Sequence, residues 1–257
     1  MRRILCIGGH GFSARPADRA MTDLVVSLAA GEQPRICLLP TASGDAAEQS
    51  AAFHTAMSSR DCIPSALSLF RIGLRPIAVR DHLLAQDLIY VGGGNLLNLM
   101  AVWEAHDLGA ILRLAWEHGI PICGQSAGAM CWFEVGITTG AGRLRRAAGL
   151  GVLPGSCSVH YHSEPDRRQL LLDSVATGGP SGYGVDDHAA LLWHDCRVAG
   201  AYSSRQGATV YRVKRDGPEV VERAFAASAV VPDGSGEAIP ADIREFRRTR
   251  GLVARTR

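Results

Sequence analysis

The sequence predicts an α/β fold, in which a doubly wound and mostly parallel sheet carries helices on both faces and gains antiparallel strands near the C-terminus. Short β-branched or leucine-rich runs that end in Gly, Pro or Ser alternate with longer amphipathic stretches. Several short runs are apolar throughout, which is typical of strands buried on both faces. The length of 257 residues, with 47% hydrophobic and 20% charged residues, suits one large domain and excludes disordered and fibrous chains.

The first half of the chain supplies the alternating elements. Their order is the one that a parallel sheet requires, because each helix carries the chain back to the start of the next strand. Strands are predicted at Arg3–Ile7, Arg35–Leu39, Ala66–Phe70, Asp87–Val91 and Ile120–Gly124. Helices are predicted at Asp18–Ala30, Ala46–Ser58, Val79–Ala85, Asn95–His106 and Leu108–His118.

Beyond Gly124 the regular alternation stops. A short helical run to Phe133 leads into a Gly- and Arg-rich connection over 138–151, and the rest reads as strands with one helix from Glu164. We expect these strands to extend the same sheet, antiparallel at its edge: Cys157–Tyr161, Ala189–Trp193, Val198–Tyr202 and Ala208–Val213. No linker precedes residue 215, so residues 1–240 are assigned to one domain and 241–257 to an Arg-rich, solvated tail.

Charge and cysteine usage limit the partners. Lys and Arg total 27 against 25 Asp and Glu, and a net charge of +2 gives no indication of a nucleic-acid or membrane partner. The seven cysteines form no Cys-x-x-Cys pair and lie mostly in apolar runs, so we expect reduced core residues and no metal. The apolar run at the N-terminus is too short for a signal peptide, and the expected location is cytoplasmic.

The strongest chemical signal is the segment Gly124-Gln125-Ser126-Ala127-Gly128, in which a buried strand runs directly into a helix start. This Gly-x-Ser-x-Gly pattern is typical of a nucleophile elbow, because only small neighbours let so tight a turn close around a serine. The N–H of Ala127 would then point at the oxyanion formed on attack by Ser126. The alternative is an ordinary turn in which Ser126 caps the helix.

A second signal is the strand that ends in Gly92-Gly93-Gly94-Asn95. Neighbouring loops converge at the carboxyl edge of a doubly wound sheet, so this loop can place another N–H beside that of Ala127. Asn95 is the expected N-cap of the next helix. A third glycine pattern, from Gly9 to Ala14, formally matches a dinucleotide fingerprint, but Arg15-Pro16 interrupts the helix that should follow, and no cofactor is predicted.

A serine nucleophile also needs a base and an acid that orients it. His160 and His162 follow a predicted strand, and alternation would put both on one face, so the pattern alone does not choose between them. Asp186 and Asp187 follow another strand-like run and supply the candidate carboxylates.

Taken together, the Gly-Gly-Gly-Asn loop, the Gly-Gln-Ser-Ala-Gly-Ala elbow and the His-Tyr segment followed by Glu-Pro-Asp-Arg-Arg resemble the peptidase E and cyanophycinase family of serine peptidases. The resemblance runs from the first strand to about Val213, and it implies a fold related to class I glutamine amidotransferases. It implies the following roles: Ser126 as nucleophile, His160 as base, Asp187 in place of the family's more usual Glu, and Gly94 and Ala127 as the oxyanion hole.

The resemblance also implies a substrate, because known family members cleave short Asp-containing peptides. Arg167 and Arg168, which can bind a carboxylate bidentately, are assigned to substrate binding together with Asn95 and Gln125. A solvated helix face is the alternative for the two arginines. Nothing in the sequence determines the assembly, for which a homodimer is one option.

Two other functions compete with this one. An esterase or general α/β-hydrolase is disfavoured because those enzymes place the acid between Ser and His, whereas His160 precedes Asp187. A non-catalytic member of the amidotransferase-like fold is the other alternative, and a cyanophycinase-like β-aspartyl peptidase is a variant of the leading one.

Overall fold

Two β-sheets and seven α-helices make up the described part of the computed structural model, residues 1–72 and 78–230. The predicted tail at 241–257 and the end of the predicted domain lie outside the described residues. The strands are β1 Arg3–Ile7, β2 Arg35–Leu39, β3 Ile63–Ala66, β4 Leu88–Val91, β5 Ile122–Gln125, β6 Phe133–Gly140, β7 Arg143–Ala148, β8 Leu153–Val159, β9 Gly182–Val185, β10 Ala189–His194, β11 Arg197–Ser203, β12 Val210–Asp216, β13 Glu219–Ala224 and β14 Ala227–Ala229. The helices are α1 Arg19–Leu28, α2 Ala47–Ser58, α3 Val79–Leu84, α4 Leu96–Ala105, α5 Leu108–Glu117, α6 Ala127–Met130 and α7 Pro165–Ala176.

The larger sheet has the order β14-β11-β10-β1-β5-β4-β2-β3 in the described residues. Strands β1 to β5 pair in parallel, whereas β10 pairs antiparallel with both β1 and β11. On β1, Leu5 and Ile7 pack with α1 and α2 on one face, and Ile4 and Cys6 join the core formed with α4 and α5 on the other. The predicted fold class, a doubly wound and mostly parallel sheet, is thereby confirmed.

The smaller sheet was not predicted. Its order is β13-β12-β9-β8-β6-β7 in the described residues. One face joins the large core through aromatic contacts such as Tyr183 with Trp193, and the other carries α7, whose Leu171 and Val175 pack with Tyr161 and Val213. The strands expected around Cys157–Tyr161 and Ala208–Val213 therefore belong to this second sheet. Of the four late strands that the sequence predicts, β10 and β11 extend the first sheet, and β14 adds a further, unpredicted strand beside β11.

Two further expectations about elements were wrong. The Gly- and Arg-rich stretch over 138–151 is not a plain connection, because it contains most of the β6–β7 hairpin, paired from Val135 with Ala148 to Gly140 with Arg143. The third strand is Ile63–Ala66, whereas the sequence suggested Ala66–Phe70. Pro64 fits in this strand because β3 lies at the edge of the sheet, where a missing N–H is tolerated.

None of the helices in the described residues combines the length and the apolar character that a membrane crossing requires.

Candidate active site

The carboxyl ends of three adjacent strands, β1, β5 and β4, meet at one edge of the larger sheet. Gly8 and Gly9 follow β1, Ser126 follows β5, and the glycine loop 92–94 follows β4. The N–H of Ser126 donates to the carbonyl of Ile7 at 3.0 Å, which ties the turn after β5 to the end of β1. This edge is where open α/β sheets bind their ligands.

Ser126 occupies a backbone conformation that side chains rarely adopt, with φ 54° and ψ −115°. It is held there because the chain around it has no room to relax. A Cβ added to Gly124 would lie 1.9 Å from the carbonyl oxygen of Gly128, and one added to Gly128 would lie 2.3 Å from that of Val91. The two glycines of the motif are therefore required by packing, and the strained serine between them has the geometry of a nucleophile elbow.

Ser126, His160 and Asp187 form a continuous hydrogen-bonded chain. The Oγ of Ser126 lies 3.0 Å from Nε2 of His160, and Nδ1 of His160 lies 2.6 Å from Oδ1 of Asp187. With its Nδ1–H donated to the carboxylate, the imidazole presents the Nε2 lone pair to the serine hydroxyl. The arrangement matches a serine nucleophile, a base and an orienting acid.

Asp187 is fixed on both oxygens. Its Oδ2 accepts a hydrogen bond from Oγ of Ser163 at 2.5 Å, and Nε2 of His10 lies 3.7 Å from the same oxygen. Burial by itself would raise the pKa of Asp187, but the hydrogen bonds from His160 and Ser163, with the nearby imidazoles, outweigh it and lower the pKa to about 2. The carboxylate is therefore ionised across the whole working pH range of a typical enzyme.

The two candidate histidines have different partners. Strand β8 ends at Val159 and His160 has φ 54°, so the expected alternation that would put both rings on one face does not extend to them. Nδ1–H of His162 donates to Oδ1 of Asp186 at 2.7 Å, while the other oxygen of Asp186 accepts from the N–H of Thr209. Asp186 thus serves the second histidine, and Asp187 serves the one that contacts Ser126.

The glycine loop after β4 leaves backbone donors beside the serine. Gly92 N–H donates to Leu39 and Asn95 N–H to Ala42, but the amides of Gly93 and Gly94 between them have no acceptor among the described residues. Gly94 has φ 149°, and a Cβ there would lie 2.0 Å from the carbonyl oxygen of Ala42. A Cβ on Gly93 would lie 3.3 Å from Cβ of Ser126. This loop and the N-terminus of α6, which begins at Ala127, flank Ser126.

The four residues assigned to substrate binding make bonds within the protein. Asn95 caps α4 and donates from Nδ2 to the carbonyl of Thr139 at 2.9 Å. Gln125 accepts from the hydroxyl of Tyr90 and donates to Oγ of Ser13 at 2.7 Å. The arginines lie on α7, where Arg167 binds Glu164 and the carbonyl of Ile137, and Arg168 binds Glu222. Neither arginine is a free cation facing Ser126.

Three residues that contact the Asp187–His160 pair, Gly9, Ser163 and His10, were not among the sequence-predicted site residues. A Cβ on Gly9 would lie 2.0 Å from Oδ1 of Asp187 and 2.6 Å from Cε1 of His160, so the first glycine loop packs directly against them. The signal was present, since Gly8-Gly9 ends the first strand, but the pattern was weighed only as a nucleotide fingerprint. Nothing local to Ser163 or His10 indicates that they contact Asp187.

A cavity of about 1000 Å³ opens next to Asp187. Its lining includes Ser163, His10 and Asp186, but neither Ser126 nor His160. Within residues 1–72 and 78–230, no group of three or more His, Cys, Asp or Glu side chains is arranged to hold a metal ion.

Comparison with known proteins identifies the family to which the chain belongs. Residues 4–199 match the model of peptidase family S51. The chain belongs to peptidase family S51. This peptidase is 42% identical over 226 residues to the uncharacterized peptidase YgaJ of Bacillus subtilis (strain 168), and the match covers 86% of this chain and 96% of that protein. The resemblance inferred from the motifs is confirmed, and the enzyme is a serine peptidase.

Two solved structures share the fold of this peptidase. A peptidase from an acI-B1 actinobacterium has a TM-score of 0.63 and 16% sequence identity, with 88% of this chain and 97% of that chain covered. A protein from Listeria monocytogenes EGD-e assigned to peptidase E has a TM-score of 0.57 and 16% identity, with 88% and 100% covered. At this identity the likeness shows the fold alone.

Proposed function

We propose that this serine peptidase is an exopeptidase that hydrolyses short Asp-containing peptides through an acyl-enzyme on Ser126. The observation that carries the proposal is the hydrogen-bonded chain from Ser126 through His160 to Asp187, set on a strained turn at the carboxyl edge of the sheet. A serine that only capped a helix would need neither the strained backbone nor an imidazole held by a half-buried carboxylate.

In this mechanism the Oγ of Ser126 attacks the scissile carbonyl carbon while Nε2 of His160 takes the hydroxyl proton. Asp187 keeps the imidazole in the correct tautomer and stabilises the imidazolium. The tetrahedral oxyanion accepts hydrogen bonds from the amides of Gly94 and Ala127. His160 then returns the proton to the departing amine, and a water molecule, deprotonated by the same imidazole, hydrolyses the ester.

Ser163 is a positioning residue in this scheme. Its hydroxyl occupies the second oxygen of Asp187, so the first oxygen stays directed at Nδ1 of His160. The shorter arm of Asp, where the family more often has Glu, is compensated by close packing of the chain, since no Cβ fits at Gly9 between Asp187 and His160.

The preference for Asp rests on the family resemblance. Because Arg167 and Arg168 are bound within the protein, we do not assign the substrate carboxylate to them. A cyanophycinase-like preference for β-aspartyl bonds is the competing specificity, and it uses the same nucleophile.

The proposed setting is the cytoplasm, and the proposed substrate partner is a short peptide. All seven cysteines are free thiols and five of them are buried, which supports a reducing compartment. Burial raises the pKa of the Cys123 thiol, which keeps it protonated and unreactive beside the elbow.

The proposal is tested by incubating the protein with a library of dipeptides and tripeptides that contains α-linked and β-linked aspartyl bonds. We expect release of N-terminal Asp from the α-linked peptides, and a rate at least about 10⁵-fold lower for Ser126→Ala. Ser58→Ala, on the exposed end of α2, serves as the matched control with an unchanged rate. Cleavage of β-linked peptides alone would select the cyanophycinase-like alternative. Equal activity of Ser126→Ala and wild type would remove the nucleophile assignment.

A further inference from the structure

The cavity next to Asp187 is a second polar centre of the molecule. It has a volume of about 1000 Å³ and is lined by three carboxylates, three imidazoles and three guanidiniums. The charged and titratable lining residues are Asp18, Asp186, Asp187, His10, His162, His188, Arg15, Arg19 and Arg205. Which of these groups has hydrogen-bonding capacity left decides what the cavity can bind.

The carboxylates are already satisfied. Each of their six oxygens accepts at least one hydrogen bond from within the protein, so none has to bind a ligand cation. The donors are Met21 N–H, His188 Nδ1 and Ser204 Oγ for Asp18, His162 Nδ1 and Thr209 N–H for Asp186, and His160 Nδ1 and Ser163 Oγ for Asp187.

The guanidiniums, unlike the carboxylates, have hydrogen-bonding groups left for a ligand. Arg15, Arg19 and Arg205 are exposed around the cavity, and within the described ranges no acceptor for any of these side chains is found. Two come from the loop and first turn that precede and open α1, and the third comes from the connection after β11. A lone exposed arginine is ordinarily solvated, but three arginines from two separate segments around one cavity supply a surplus of donors.

Two of the imidazoles add to the surplus. His162 and His188 each bind a carboxylate through Nδ1, which leaves Nε2 for a ligand. His162 is held edge-on against the rings of Tyr161 and Tyr211, and His188 stacks on His10 at 4.8 Å, so neither ring is free to turn away.

We propose that this cavity binds the oxyanion group of a small acidic molecule, at a site separate from the acyl group on Ser126. Arg15, Arg19 and Arg205 provide the positive charge, and the imidazoles of His162 and His188 line the cavity beside them. The oxyanion can be a carboxylate of the peptide that this enzyme cleaves or a free anion such as phosphate. A planar carboxylate and a tetrahedral phosphate both present negatively charged oxygens that accept hydrogen bonds from a guanidinium. Ser163 and Asp187 both line the cavity, and the hydroxyl of Ser163 donates to Asp187. The proposed anion site therefore borders the proposed catalytic acid.

The first test uses inorganic phosphate as the probe, in a calorimetric titration of the whole protein at low ionic strength. We expect saturable binding that weakens about tenfold in each of Arg19→Gln and Arg205→Gln, because each removes a charged hydrogen-bond donor. Arg143→Gln, an exposed arginine on the β6–β7 hairpin, is the matched control and should bind like wild type. No turnover is needed, so the result is independent of whether the proposed peptidase activity is found.

The second test identifies the source of the oxyanion with Ser126→Ala protein and an Asp-containing dipeptide. Competition between phosphate and the dipeptide would show that the peptide's own carboxylate occupies the cavity. Independent binding of both would show a separate anion site. The proposal is overturned if neither ligand is affected by Arg19→Gln or Arg205→Gln, or if Arg143→Gln weakens binding as much as they do. Circular dichroism checks that each variant is folded.

Discussion

His160 and His162 are two residues apart and chemically alike, yet only His160 contacts Ser126. His160→Ala should lower kcat/KM by about 10⁴- to 10⁶-fold, because the serine loses its base. His162→Ala should cost less than about tenfold, since this ring binds Asp186 and faces the neighbouring cavity. Steady-state assays on both variants provide the measurement, and a larger loss for His162→Ala would show that the wrong histidine was assigned.

Asp187 and Asp186 form the corresponding pair of acids. Asp187→Asn should lower turnover by about 10³- to 10⁴-fold, because the amide holds the imidazole in the wrong tautomer. Asp186→Asn should have a much smaller effect, as its oxygens bind His162 and the N–H of Thr209. Comparable losses of kcat in the two variants would indicate a general electrostatic or folding role for the pair.

Asp187 should also make stability depend on pH. Its pKa in the folded protein is about 2, below the ordinary value of 3.8, so the folded state binds the proton less readily than the unfolded chain. The resulting stabilisation is present above about pH 4 and is lost as the pH falls toward 2, and it amounts to roughly 2 kcal/mol. Urea unfolding of wild type and Asp187→Asn should therefore give free energies that differ at pH 6 and converge at pH 2. Parallel curves would contradict the low pKa.

The loop after β1 packs directly against Asp187 and His160, and Gly9 leaves the space in which these two side chains meet. Gly9→Ala should give a folded protein with activity lower by about 10²-fold or more, because the new methyl group displaces Asp187 and His160 from each other. Gly200→Ala is the control, since a Cβ there makes only ordinary contacts with Tyr202 at 3.5 Å or more. An unchanged rate for Gly9→Ala would mean that the loop can shift without moving Asp187 away from His160.

Elements were predictable where the local pattern determines them. Strands β1 and β2 have the predicted bounds, because runs that are apolar at successive positions are buried on both faces. Helix α4 begins where the N-cap Asn95 indicated. Strand β3 was displaced because its pairing with β2, and not its hydrophobicity, decides its bounds. The β6–β7 hairpin was missed because its exposed arginines hide the alternation expected of a strand.

At the scale of the whole molecule, the second sheet and α7 hold the His-Tyr segment in place. Glu222 on β13 accepts hydrogen bonds from the hydroxyl of Tyr161 and from Arg168 on α7. Burial and the hydrogen bond to Glu222 raise the pKa of Tyr161, so its hydroxyl remains a donor. The residue next to His160 is thereby fixed to the far strand of the smaller sheet.

This contact predicts a structural effect for Arg168. Arg168→Gln should lower the free energy of unfolding by about 1 kcal/mol, and Glu222→Gln by more, because the latter also weakens the bond to Tyr161. Neither the affinity for an acidic peptide nor its KM should change by more than about twofold in Arg168→Gln. A KM that rises about tenfold with unchanged stability would restore Arg168 to the substrate-binding role inferred from the motifs.

The sequence, with the resemblance, singled out Ser126, His160 and Asp187, which the structure brings into one hydrogen-bonded chain, and their catalytic roles stay predictions. Ser126 is readable because its elbow is a contiguous motif. The pairing of His160 with Asp187, 27 residues further on, depends on β8 and β9 lying side by side in a sheet that no local pattern revealed. The same long-range packing brings Ser163 and Gly9 to Asp187 and forms the cavity beside it. The extent of the domain to residue 240 stays a prediction.

The central claim is that Ser126 is a nucleophile activated by His160, and a fluorophosphonate probe tests it most directly. We expect one covalent adduct, located by peptide mapping on Ser126, absent from Ser126→Ala and formed more slowly by orders of magnitude in His160→Ala. His162→Ala and Asp186→Asn should label at close to the wild-type rate. Labelling of a different serine, or peptide hydrolysis that survives in Ser126→Ala, would contradict the account.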